Sequence, residues 1–235
     1  MRPPQQTTPM PLLLWPGLAA DARLFAPIRE RLENVQTPRF MEPSAGESLR
    51  DYAQRYAPTL APQLPHDGRY AVGGFSFGGQ LALELAAVLQ PRPKGVVLIC
   101  GVRGTHQILP AFGRQQRLGA AIPGAVARRL YKPVARRFAQ RNRLDDASTR
   151  LLLDMAQDID PRFLRWSAAA CARWPGPPEL DLPIRHIHGQ LDTIIPDVRH
   201  EADRTIAGAR HLITLTHPQE VAEFIMASLA DFDNA

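Results

Sequence analysis

This 235-residue chain has no unbroken apolar stretch long enough to span a bilayer, which excludes an ordinary transmembrane helix. The run Pro11-Leu12-Leu13-Leu14-Trp15-Pro16 is short, proline-bounded and preceded by Arg2 as its one cation, so it reads as a buried strand rather than a signal peptide. Cysteine is scarce. Cys100 and Cys171 form no Cys-x-x-Cys pair, which leaves no thiol framework for zinc or redox chemistry, and both read as buried free thiols of a reducing compartment. That points to a cytoplasmic location. No internal repeat is visible.

Charge is unevenly placed. The net charge is +5, and between Val102 and Arg150 there are 11 Lys or Arg against two Asp. The stretch lacks interleaved aromatics and any recognised nucleic-acid module, so nucleic acid is not an expected partner. Two readings of the basic stretch stand: a solvated helical face, and a field for anionic substrates or membrane surfaces.

Hydrophobic residues make up 45% of the chain, ample for one large core. Residues 1–10, rich in Pro, Gln and Thr, read as a disordered leader. Strands are expected at Leu12–Trp15, 69–73, Val96–Cys100, Ile184–His188 and Arg204–Ala207. Helices are expected at Asp21–Leu32, Ser48–Leu64, 77–89, 197–204 and Pro218–Leu229. Such alternation demands crossover connections, hence an α/β fold with a mainly parallel sheet covered on both faces. Residues 102–180 interrupt it with Arg-rich helical patterns split by Pro110, Pro123, Pro133 and Pro161. The core is therefore expected at 11–101 and 181–235, with 102–180 as a helical insertion.

The most informative motif is Gly74-Phe75-Ser76-Phe77-Gly78-Gly79. A strand pattern precedes it and a strong helix pattern follows. Strand, Gly-x-Ser-x-Gly turn and helix is the context of a nucleophile elbow. Gly74 and Gly78 remove side chains where strand end and helix start pass close together. Ser76 then lies exposed beside a helix N-terminus.

A serine hydroxyl needs a base, and a histidine base works best when a carboxylate orients it. In a parallel sheet these groups meet at the C-terminal ends of strands. Asp192 sits in the loop leaving such an end; Asp197, the nearest alternative, is placed to cap the next helix. Of seven histidines, three follow Asp192 in the order Ser, Asp, His; His200 falls on an expected helix, which leaves His211 and His217. His211 is assigned as the base, with His217 as the alternative. His188, inside a strand, reads as structural. Two backbone N–H groups are needed for an oxyanion hole. Phe77 follows the nucleophile, and Leu18 follows Gly17 in the loop after the first strand; Pro16 has no N–H to give.

Taken together, these motifs resemble the α/β-hydrolase family over essentially the whole chain except the leader. Residues 13–25 are similar to its oxyanion loop, with Pro16-Gly17 where a His-Gly pair is usual. Residues 188–196 resemble its acid loop, and the spacing from His211 to Pro218 resembles its catalytic-histidine loop, which supports His211 over His217. The resemblance implies about six strands, a helical lid at 102–180, and a serine esterase working through Ser76, His211 and Asp192 without metal or organic cofactor. It equally admits a thioesterase with the same residues, or a non-catalytic relative that binds a small ligand in the pocket. The expected partner is a small-molecule ester or thioester, with no stable membrane insertion.

Overall fold

A computed structural model of the protein describes residues 9–107, 124–196 and 200–234. Six strands form one sheet: β1 (Leu12–Trp15), β2 (Val35–Gln36), β3 (Ala71–Phe75), β4 (Val96–Ile99), β5 (Ile184–Gly189) and β6 (Arg204–Ile206). Their order is β2-β1-β3-β4-β5-β6, and every neighbouring pair is parallel. All strand C-termini therefore open on one rim.

Side chains of successive strand residues point to opposite faces. Leu12 and Leu14 of β1 join Val97 and Ile99 of β4 in one core layer, while Leu13 and Trp15 join Val96 and Leu98 in the other. Two-sided burial is why these strands read as unbroken apolar runs. The first layer is covered by α1 (Ala26–Arg29) and the C-terminal α8 (Pro218–Asp233), the second by α2 (Leu49–Leu60) and α3 (Phe77–Val88). Ser48 caps α2 by accepting from Asp51 N–H. A single turn, α7 (Ile213–Thr216), precedes α8.

Between β4 and β5 lie α4 (Gly124–Arg141), α5 (Asp146–Asp158) and α6 (Pro161–Arg173). Asp145 and Asp160 cap the last two, accepting from Ser148 and Arg162 N–H. Pro161 opens α6, where its missing N–H costs nothing.

Several elements differ from the sequence reading. β3 runs to Phe75, two residues beyond the expected strand, and so takes in Gly74 as well as Gly73. The glycines are there for close approach: a Cβ on Gly73 would stand 2.5 Å from the Val97 carbonyl oxygen. β2, two residues long, was not expected, since it carries no periodic signal. The helix expected at Asp21–Leu32 is a 3₁₀ turn (Ala22–Phe25) followed by one α turn; Leu24, Phe25, Ile28 and Leu32 are nonetheless buried. Pro133 does not split its helix but lies inside α4, which Ala135 and Ala139 hold against the core. The helix expected at 197–204 falls partly outside the described residues, and Arg204 opens β6. Residues 1–8 of the expected leader also lie outside them, whereas Met10 is buried.

Candidate active site

The elbow follows from backbone geometry. Ser76 N–H donates to Ile99 C=O at 2.9 Å, extending the β3–β4 ladder by one bond. The chain then turns sharply, with Ser76 at φ 53° and ψ −118°, and α3 begins at Phe77. A Cβ on Gly74 would lie 2.0 Å from the Gly78 carbonyl carbon, and one on Gly78 would lie 2.1 Å from the Trp15 carbonyl oxygen. Neither position admits a side chain.

The loop after β1 presses on this turn. A Cβ on Gly17 would meet the Phe75 ring at 2.9 Å and Ser76 Cβ at 3.3 Å. The loop closes with Ala20 N–H donating to Gly17 C=O and Ala19 at φ 57°. Leu18 is next in sequence to Gly17 in this loop. On the other side Phe77 and Gly78 open α3, where first-turn N–H groups lack intrahelical acceptors.

Asp192 and His211 meet at the same rim. Asp192 leaves the C-terminal end of β5 and His211 follows β6. His211 Nδ1 lies 2.7 Å from Asp192 Oδ2, and both side chains are buried. A carboxylate accepts, so Nδ1 carries a hydrogen and directs it at Asp192. The His211 ring lies 4.9 Å from that of Phe75, the residue before Ser76, and 6.2 Å from that of Phe138 on α4. The structure thus joins His211 to Asp192, but among the described residues no hydrogen bond joins Ser76 Oγ to His211.

Asp192 is held on both oxygens. Oδ1 accepts from Ile194 N–H at 2.7 Å and Ile195 N–H at 3.2 Å. Oδ2 also lies 3.2 Å from His188 Nε2. Burial pushes the Asp192 carboxyl up, but His211 and His188 outweigh it and hold it well below the usual carboxylate range. The fully buried Cys100, at the end of β4 with φ 45°, packs against the same carboxylate. Burial first, and Asp192 second, push its thiol well up. Sequence reading treated Cys100 and His188 as packing residues; contact with Asp192 is a property of the loop, not of either strand.

Cys100, Asp192 and His211 place ligand-type atoms within 4.8 Å of one another. The 2.7 Å spacing of Nδ1 and Oδ2 is nevertheless that of a charge-assisted hydrogen bond. Tetrahedral zinc ligands stand roughly 3.3 Å apart. The trio is arranged as a hydrogen-bonded cluster.

The other histidines lie elsewhere. His217 occupies the N-cap position of α8 without a side-chain cap bond, its Nδ1 2.8 Å from Thr216 Oγ1. His186 is buried, and neither ring nitrogen has a partner. His106 pairs with Glu201, and His200 is exposed. Asp197 lies outside the described residues. Both cysteines are free and buried.

A cavity of about 400 Å³ adjoins the loop after β1, lined by Ala20, Phe40, Met41, Met155, Ile159 and Phe163 among others. Phe40 stacks on Phe163 at 4.6 Å and lies 6.4 Å from Phe77, so its aromatic wall continues to the residue after Ser76. Among the described residues no helix is long and apolar enough to cross a membrane.

Comparison with known proteins fits this geometry. The chain is 26% identical over 230 residues to a pimeloyl-[acyl-carrier protein] methyl ester esterase of Stenotrophomonas maltophilia, covering 88% of this chain and 84% of that protein. It is 41% identical over 102 residues to a nonribosomal peptide synthetase of Aspergillus flavus, a match that takes in 42% of this chain and 1% of the synthetase. Among solved structures it resembles a thermophilic esterase from Thermogutta terrifontis, with TM-score 0.77 and 21% identity over 96% of this chain and 91% of that one. It also resembles a thioesterase of the prodiginine pathway of Streptomyces coelicolor, with TM-score 0.63, 21% identity and the same coverage. The sequence profile of the alpha/beta hydrolase family matches residues 12–224, and with its parallel sheet and its elbow at Ser76 the chain belongs to that family.

Proposed function

We propose that the protein cleaves carboxylic esters through an acyl-enzyme on Ser76. His211 Nε2 takes the Ser76 proton as Oγ attacks the carbonyl. Asp192 holds the imidazolium through Nδ1. Leu18 and Phe77 N–H groups stabilise the tetrahedral oxyanion. His211 then gives its proton to the leaving alcohol, and water, activated by the same imidazole, releases the acid. The segment α4–α6 serves as lid, and the cavity beside Phe40 and Phe163 takes an apolar part of the substrate. The free thiols fit a cytoplasmic enzyme.

One observation carries this reading: the 2.7 Å bond from His211 Nδ1 to Asp192 Oδ2, on the rim where Gly17 meets the Ser76 turn. Serine–base hydrogen bonds are often long in free enzymes and tighten with substrate bound. The test is hydrolysis of a short activated ester together with labelling by a fluorophosphonate. Ser76→Ala is expected to lose both. Ester turnover surviving in Ser76→Ala overturns the mechanism, and a wild-type protein that never labels favours a binding module.

A thioester substrate is the second reading. Lys132, Arg136, Arg137 and Arg141 are exposed along α4, which suits an anionic carrier. The matches to an esterase named for an acyl-carrier-protein substrate and to a thioesterase point the same way. A panel of matched esters and thioesters of graded acyl length decides between the two.

A further inference from the structure

We propose that His188 is a positioning residue of this site: it braces Asp192 as a second imidazole donor and shares the carboxylate oxygen that orients His211. This rests on the hydrolase reading above.

The geometry fixes where the His188 hydrogen is. Nε2 lies 3.1 Å from the Ile195 carbonyl oxygen and 3.2 Å from Asp192 Oδ2. A carbonyl oxygen accepts and cannot donate, so Nε2 carries the hydrogen and donates it to Ile195 C=O, with Asp192 Oδ2 close beside that bond. Nδ1 is buried with no hydrogen-bond partner. All of the polar work of this side chain is therefore done at Nε2. Burying an imidazole with one nitrogen unsatisfied is costly, and packing alone would be better served by an apolar residue. The ring packs edge-to-face with the His186 ring at 5.3 Å, with no hydrogen bond between them.

The consequence lies in how Asp192 is divided. Oδ1 is occupied by two backbone N–H groups, and Oδ2 is divided between His211 and His188. Around this pair stand the Cys100 thiol at the end of β4, His186 on β5, and Arg103 after β4. Asp203 accepts from His186 N–H and from Arg103. A second donor on Oδ2 draws charge away from the bond to His211. Without it the carboxylate acts on His211 alone, which makes the imidazole more basic, and the carboxyl plane is left freer to turn.

The experiment uses the full chain and the variants His188→Leu, His188→Gln and His188→Asn, with thermal unfolding as the check on folding. Three quantities are read: kcat and KM for a short activated ester, the acid limb of kcat/KM against pH, and the downfield proton resonance of His211 Nδ1–H. In His188→Leu we expect kcat to fall about 10-fold at constant KM. The acid limb should move up by about half a pH unit, and the resonance should move further downfield. His188→Gln, whose amide can reach Oδ2, should recover the wild-type limb, whereas His188→Asn, with a shorter reach, should not. A folded His188→Leu with unshifted limb and resonance overturns the inference. If His188→Leu does not fold, identical profiles for Gln and Asn overturn it. A wild type that neither hydrolyses esters nor labels at Ser76 overturns the hydrolase reading and the catalytic half of this one; the resonance then decides whether His188 shares the carboxylate.

Discussion

Trp174 donates its indole N–H to Glu84 Oε1 at 2.8 Å, fastening the chain at the end of α6 to the middle of α3. Glu84 is 2% exposed, and its other oxygen lies 3.1 Å from Arg50 Nε on α2. One buried carboxylate thus ties the inserted segment to both helices that cover this face of the sheet. Glu84→Leu strands the indole N–H in the interior, which costs about 2 kcal/mol. Arg50 is half-exposed and returns to water, so its share of the loss is small. Glu84→Gln keeps an acceptor for Trp174 and should lose less than half as much. Urea unfolding of the two variants gives the comparison, and equal losses would show that the indole bond contributes nothing.

Ser76 is held in a conformation that side chains disfavour, at φ 53°. Such a backbone costs on the order of 1–3 kcal/mol in a non-glycine residue. Ser76→Gly should therefore be more stable than Ser76→Ala by about 1 kcal/mol, once the greater freedom of unfolded glycine is set against the relief of strain. Neither should hydrolyse ester. Thermal unfolding of the pair tests this, with Gly78→Ala as the opposite case: its Cβ would collide with the Trp15 carbonyl oxygen, and we expect no folded protein at 37 °C.

His186 gives the stability its pH dependence. Its ring is fully buried and both nitrogens lack partners. Burial, then His188 and Arg103, push it well below the ordinary histidine value of 6.5. The unfolded chain takes up a proton near pH 6.5 that the folded chain refuses. Stability therefore falls as pH drops below about 6.5. Asp192 adds a second loss at lower pH: its carboxyl is held below the usual range in the folded state, so its contribution is complete above about pH 4 and is lost as the carboxyl protonates. His186→Phe removes two unsatisfied nitrogens and should raise stability by about 1 kcal/mol at pH 7. It should also flatten the slope between pH 5 and 6.5. Denaturant midpoints across that range measure both, and a variant with the wild-type slope would place the titrating group elsewhere.

What could be read from the sequence was local or topological. The turn at Ser76 is spelled by residues in direct succession, and the parallel sheet by alternating periodicities. Asp192 and His211 reach one rim because each follows a strand, which the order of elements already implies. The contacts of His188 and Cys100 with Asp192 were not legible. His188 meets Asp192, four residues on, through a turn after β5 whose shape depends on Asp192 accepting from Ile194 and Ile195 N–H, and Cys100 meets it across the β4–β5 pairing. Gly74 hid the true end of β3, because glycine lowers strand propensity at the point where the neighbouring backbone demands it. Val35–Gln36 offered too few residues for a period to be seen.

Arg23 links the two sides of the cavity beside the loop after β1. Its Nη2 lies 2.6 Å from Asp21 Oδ2 and 2.7 Å from Asp158 Oδ2, and both aspartates line that cavity. Asp158 ends α5, where the helix dipole disfavours a carboxylate and a cation offsets it. All three side chains are more than a third exposed, so the cluster is worth at most about 1 kcal/mol, and Arg23→Gln should lower Tm by no more than about 4 °C. Its effect should fall on substrate binding instead. Freed from Arg23, the end of α5 can move against the loop that carries Leu18. KM for an ester with a bulky apolar group should rise several-fold while kcat for a small ester holds. Salt gives the control: at 1 M the Debye length is about 3 Å, and wild type should approach the variant. A KM that stays the same in both proteins at every ionic strength would leave Arg23–Asp158 as a surface pair with no bearing on the cavity.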